Sequence, residues 1–225
     1  AYIMAGIYNG DSTVRANYHH GADFGMDGPV YGMVEAGYRV NGLPGDSQYL
    51  GDYKVGAWYD DNVYTDYRSI NNGGPIATGR GNYGVYALFD QVVLPFAEEG
   101  SNRGLGIFGS FLASPDQSIS KLPYFCTGGI VARGPLDARP QDLIGFGFMY
   151  GAFSDDLAAS QEREQVIDPD LGVQNHETVL ELTYRYRMHN GALFIQPDLQ
   201  YIIHPGGTGQ IQDAFVIGAQ VGVNF

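Results

Sequence analysis

The residues of this chain that could do chemistry recur at every second position. Glu177, Glu181, Arg185 and Arg187 share one side of 177–188, and Gln196, Asp198 and Gln200 share one side of 192–203. Glu35 and Arg39 share a side of 30–40, and Lys54 and Trp58 a side of 49–59. Side chains of a strand point alternately to its two faces, so each set lines one surface. Together these residues hold hydrogen-bond donors and acceptors in fixed places and carry both signs of charge. Mixed signs disfavour strong selection for either kind of ion, unlike a ring of one sign. The plainer role of the Glu and Arg residues is cross-strand pairing that keeps a water-filled wall polar and rigid. Gln196 and Gln200 could bond a solute or one another, and Trp58 could simply fill space.

No other group of residues assembles into a reactive set, so an enzyme, a metal and a cofactor are not expected. Hydrolytic chemistry needs a nucleophile, a histidine and an orienting group held together; Ser110 and Ser114 share a strand face, but no histidine pairs with them by pattern. His19 and His20 are adjacent in a loop, too few for a metal site. Asp60, Asp61, Asn62 and Asp66 could approach Ca²⁺, yet lack the glycine and terminal glutamate of an EF-hand loop. The run Gly79-Arg80-Gly81-Asn82 is not a phosphate loop, since no helix pattern follows it.

The elements that must position these residues are strands. Ten are expected, at 1–8, 30–40, 49–59, 82–94, 104–114, 122–133, 143–153, 177–188, 192–203 and 213–225. Opposite the polar rows run apolar ones: Leu180, Leu182, Tyr184 and Tyr186; Leu193, Ile195, Leu199 and Tyr201; Phe215, Ile217, Val221, Val223 and the terminal Phe225. The 82–94 strand is ambiguous, with Phe89 and Gln91 on one face and Asp90 and Val92 on the other. Pro197, which cannot donate to a ladder, suggests a bulge or bend.

The connections keep a rhythm. Counted back from the C-terminus, 189–191, 134–142, 95–103 and 41–48 are inner turns, and 204–212, 154–176, 115–121, 60–81 and 9–29 are outer loops. The three longest all fall on the outer side, and the tightest, with its Asn190-Gly191 turn signal, on the inner side. Short inner turns and long outer loops are the habit of outer-membrane β-barrels. The charged stretch 154–176 reads as a solvated outer loop.

Composition agrees. The chain has 225 residues, 33 glycines, 17 tyrosines and 12 phenylalanines, and only 16% charged residues, as aromatic-rich curved strands require. Mean hydropathy is −0.17, which a barrel's alternation allows. No apolar run is long enough for a transmembrane helix. The net charge of −13 and the lack of a basic face argue against nucleic acid as a partner. Cys126 is alone, so no internal disulfide forms. The fold expected is an all-β, transmembrane antiparallel barrel of the outer-membrane porin type, residues 1–225 forming one domain.

Three runs near the end carry a family resemblance: ETVLELTYRYR at 177–187, QPDLQYIIHPGG at 196–207 and DAFVIGAQVGVNF at 213–225. GlyPro at 134–135 through RPQDLIGFGF at 139–148, and GIYNG at 6–10, add to it. These runs resemble the OprB-type carbohydrate-selective porins. The resemblance implies a sixteen-stranded barrel integral to the bacterial outer membrane, passing mono- or oligosaccharides passively, with lipid outside and room for a homo-oligomer. Ten strands against sixteen imply that the first six lie outside this sequence. The polar rows then become pore lining, with Trp58 placed to pack on a pyranose. A soluble glycan-binding β-sandwich is the alternative, followed by a barrel enzyme. The sandwich needs the apolar rows to pair into a dry core, and has no reason to keep the loop rhythm.

Overall fold

The computed structural model describes residues 1–11, 28–40, 49–71, 75–97, 101 and 103–223. Its main element is one antiparallel sheet of ten strands in chain order: β1 (Tyr2–Asn9), β2 (Val30–Val40), β3 (Gly51–Thr65), β4 (Thr78–Pro95), β5 (Gly104–Ala113), β6 (Tyr124–Arg133), β7 (Leu143–Ala152), β8 (His176–Met188), β9 (Leu193–Ile203) and β10 (Ala214–Val223). Each strand pairs with its sequence neighbour, so β1 and β10 are the two edges.

The register carries each expected face across neighbouring strands. Leu182 lies opposite Leu199, and Leu199 opposite Ile217; these are 45%, 38% and 72% exposed. The same face shows Ile3, Val34, Val55, Phe111, Ile130 and Phe146. Among the described residues no second layer covers it. An apolar face this extensive is beyond what a soluble monomer leaves bare, and a sandwich would have packed it against another sheet.

Burial concentrates instead at the end of the sheet where the outer loops are expected. Buried Ser114 lies between Asn82 and Ser120, bonding the Asn82 Oδ1 at 2.9 Å and the Ser120 Oγ at 2.6 Å, close to buried Ile119. Two helices join this layer, α1 (Tyr67–Asn71) and α2 (Asp155–Glu164), linked by an Arg68–Asp156 ion pair at 2.8 Å.

Three expectations need correction, and the open reading of β4 is decided. The 60–81 stretch is not one loop: β3 continues to Thr65, α1 follows, and β4 begins at Thr78. The extra residues fit because the register shifts between Asp60 and Val63, and Arg80 grips Asp61 at 2.7 Å across the extended arms. The 154–176 stretch holds α2, started by Ser154, whose Oγ accepts the Leu157 N–H at 3.2 Å, with Asp155 and Asp156 complementing the helix dipole. In β4, Asp90 and Val92 join the polar face and Phe89 and Gln91 the apolar one, because Asp90 pairs with Asp52 and Phe108.

Pro197 makes no bulge. The β8–β9 register is the same on both sides of it, but the pairs at 184–197 and 185–196 are missing. The tight inner turn holds His189, Asn190 and Gly191 all at positive φ (51°, 56° and 91°), which the Asn-Gly pair tolerates best. The expectations for 41–48, His19, His20 and Phe225 fall outside the described residues.

Candidate functional site

All eleven expected site residues lie on the polar face, and they fall into three groups by what they touch. The first group spans β1 to β4. Glu35 accepts the Tyr2 hydroxyl at 2.5 Å and the Tyr86 hydroxyl at 2.8 Å, and feels the Lys54 charge. Tyr86 leans across β3 into the space where a side chain on Gly56 would stand. Trp58 leans across β4 in the same way, its Nε1 only 2.6 Å from where a Cβ of residue 84 would be. Both rings therefore lie along the wall rather than standing out from it. Arg39 and Asp52 pair at 2.8 Å, with side chains 65% and 43% exposed.

The second group lies on β8 to β10. Arg185 Nε donates to Gln196 Oε1 at 2.6 Å, Gln196 Nε2 to Thr183 Oγ1 at 3.0 Å, and Thr183 Oγ1 to the Pro197 carbonyl at 3.1 Å. This chain of side chains spans the gap in the ladder beside Pro197. Gln200 Nε2 donates to Glu181 Oε2 at 3.1 Å. Asp198 occupies the space above Gly218, and Arg185 sits over the Phe194 ring at 4.8 Å.

The third group belongs to the ends of the sheet. Glu177 accepts the Gly206 N–H at 2.5 Å and so braces an outer turn. Arg187 stands at the inner end, its backbone N–H on Asp142 at 3.0 Å and its carbonyl accepting Arg139 Nη2 at 2.7 Å; its own Nε is buried without a partner. Asp142 is the centre of that inner knot. It also accepts Arg139 Nε at 2.8 Å and the Tyr184 hydroxyl at 2.5 Å. Burial alone would push its carboxyl up, but these hydrogen bonds outweigh it and hold the group below the usual carboxylate range.

Among the described residues, two hollows of similar size open on the polar face. One of ≈ 370 Å³ is bordered by Arg39, Asp52, Lys54, Asp90, Ser110 and Thr127, groups rich in donors and acceptors. The other, ≈ 340 Å³, is mainly apolar, lined by Phe108, Val131, Leu143, Met149 and Val179 and left open by Gly145 and Gly147, with Glu181 and Thr183 at its margin.

Several wall residues escaped the sequence reading. Asp52 is two positions before Lys54 and belonged to the same row. Tyr2, Tyr31 and Tyr86 gave no signal, because tyrosine suits either face of a membrane strand. His204 Nδ1 meets His176 Nε2 at 3.3 Å at the outer rim, a pair joined only by the fold.

The residues considered for other chemistry have protein partners. Asp60 bonds Asn62 and Tyr64, Asp61 bonds Arg80, and Asp66 accepts the Arg68 N–H. Ser110 shares a hydrogen bond with Thr127, while Ser114 bonds Asn82 and Ser120.

Comparison with known proteins agrees with this architecture. Porin B of Pseudomonas aeruginosa is 28% identical over 239 residues, covering 98% of this chain and 51% of that protein. The solved high-pH structure of Pseudomonas putida OprB superposes with a TM-score of 0.82 at 23% identity, covering 97% of this chain and 54% of that one. The chain thus spans about half the length of the relatives it matches. The profile of the carbohydrate-selective porin, OprB family, matches residues 1–225, and the chain belongs to that family.

Proposed function

We propose that residues 1–225 form ten strands of a single outer-membrane barrel through which neutral mono- or oligosaccharides diffuse passively. The observation that carries this reading is the two-faced sheet of a family member: one face apolar and bare, the other lined with both signs of charge. Lipid takes the first face and water the second. The unpaired edges of β1 and β10 are where further strands would close the barrel, since a lipid-exposed sheet edge leaves backbone groups unsatisfied. An aqueous channel belongs to barrels of about sixteen strands, which ten strands alone would not reach.

The wall residues then act as a polar lining of balanced sign. Glu181, Arg185 and Trp58 face the lumen, Arg187 stands at its inner end, and no energy source is coupled to passage. The test is sugar uptake by proteoliposomes carrying the complete protein. Uptake of neutral sugars with weak ion conductance is expected. A protein that excludes all sugars yet conducts anions or cations strongly would overturn the carbohydrate reading and leave the barrel.

A further inference from the structure

On the wall formed by β2 and β3, Tyr31 and Trp58 are neighbours of a particular kind. Their ring centroids are 6.2 Å apart and their planes within 24° of each other. Trp58 leans over Gly84, the Tyr31 ring is nearly parallel to it, and both side chains are partly exposed. Tyr8 of β1 extends the row, 6.2 Å beyond Tyr31. Among the described residues neither the Trp58 indole N–H nor the Tyr31 hydroxyl has a hydrogen-bond partner, whereas the hydroxyls of Tyr2, Tyr64 and Tyr86 all bond carboxylates.

A carboxylate stands on either side of this shelf. Asp60 is opposite Tyr31 in the register and lies toward the outer end; Glu35 is two positions inward of Met33, which faces Trp58. Both are held in place. Asp60 accepts twice from Asn62, through its backbone and side-chain N–H, and once from Tyr64, and Glu35 accepts from Tyr2 and Tyr86. A carboxylate has about four lone-pair sites, so Glu35 keeps about two free and Asp60 about one.

We propose that Tyr31 and Trp58, bracketed by Asp60 and Glu35, form a stacking subsite for one neutral pyranose on the lumen wall. The proposal rests on the channel reading above. A pyranose has a face of C–H bonds and a rim of hydroxyls. The C–H face meets the electron-rich ring faces, the rim hydroxyls donate to the two carboxylates, and the free indole N–H and phenol bond a sugar oxygen. The bracketing charges are both negative, so a uronate is repelled where a neutral hexose is held.

The test uses the complete protein in planar bilayers, with glucose and glucuronate as blockers of the ion current. In Trp58→Leu the glucose block constant weakens about tenfold, equal to about 1.4 kcal/mol, and Trp58→Phe recovers most of it; Tyr31→Leu weakens it about threefold. Glucuronate blocks the wild type more weakly than glucose does, and Glu35→Gln narrows that difference. Glucose also changes the indole emission of the wild type, and the change is absent from Trp58→Phe, a readout that needs no disruptive variant. Glucose block left unchanged by both leucine substitutions, or an emission change that survives Trp58→Phe, overturns the subsite and leaves the channel intact. A wild type neither blocked by nor permeable to glucose overturns both.

Discussion

The β1–β4 wall and the β8–β10 wall present the same polar face but are built on different terms. In the first, Glu35 of β2 is clamped by tyrosine hydroxyls of β1 and β4, and aromatic rings lean over Gly56 and Gly84. In the second, Arg185, Gln196 and Thr183 bond one another, and Gln200 bonds Glu181. A wall whose polar groups satisfy each other resists deformation but has few free donors to offer a solute. A wall that keeps ring faces and lone pairs free can hold one. If the proposed channel reading holds, the difference assigns recognition chiefly to β1–β4 and rigidity chiefly to β8–β10.

The largest effect expected comes from the reverse side of the β8–β10 wall. Leu199→Arg puts a charge on the bare apolar face, the one proposed to meet lipid, and should destabilise the barrel by about 2–4 kcal/mol, whereas Gln200→Arg should mainly alter conduction. Urea unfolding of the complete protein from vesicles, beside single-channel conductance, measures both. An unfolded Gln200→Arg with a silent Leu199→Arg would exchange the two faces and with them the comparison.

Next comes the inner knot that anchors β8. Asp142 has a folded-state pKa below its unfolded value, so its contribution is complete above the unfolded value, about 3.9, and is lost as pH falls through the folded one. Asp142→Asn should cost about 1–3 kcal/mol at neutral pH, because three partners lose a charged acceptor. It should also flatten the stability profile below pH about 4. Equal slopes in wild type and variant there would show that other carboxylates govern acid unfolding.

The β1–β4 wall makes the opposite demand on one glycine. Strand propensity favours valine over glycine, so Gly84→Val should stabilise β4 if packing were indifferent. A Cβ at residue 84 would stand 2.6 Å from Trp58 Nε1 and 2.7 Å from the Ala113 carbonyl. The prediction is therefore a loss of about 1–3 kcal/mol and displacement of Trp58 from the wall. Indole emission reports the displacement. A stabilised Gly84→Val with unchanged emission would mean that Trp58 does not need the glycine.

What was legible in the sequence follows from the same contrast. The faces of β8, β9 and β10 could be read directly, because Glu, Gln and Arg alternate there with Leu, Ile and Tyr. In β4 the run Ala87-Leu88-Phe89-Asp90 has no such alternation, and only its neighbours decide its faces: Asp90 meets Asp52 and Phe108. The Glu35–Tyr86 bond joins residues 51 positions apart, with nothing local to announce it. α2 hid behind Glu162, Arg163 and Glu164, which suggested a solvated loop. Ser154 followed by two aspartates is nonetheless a helix start, and buried Leu157 and Ser160, three apart, form its packed side.

The smallest effect expected is the most specific to the β8–β10 wall. Pro197 has no N–H, and its carbonyl is taken by Thr183 of β8, so the missing donor also faces β8. Two ladder pairs are absent there, yet the register continues unchanged beyond the gap. If the Arg185–Gln196–Thr183 chain replaces that ladder, Arg185 and Gln196 should be energetically coupled. A double-mutant cycle of Arg185→Ala and Gln196→Ala should give about 0.5–1 kcal/mol by urea unfolding. The same cycle in a Pro197→Val background should give less, because the restored N–H can bond across to β8 and the side chains become redundant. Coupling of equal size in both backgrounds would mean that the two residues pair independently of the proline.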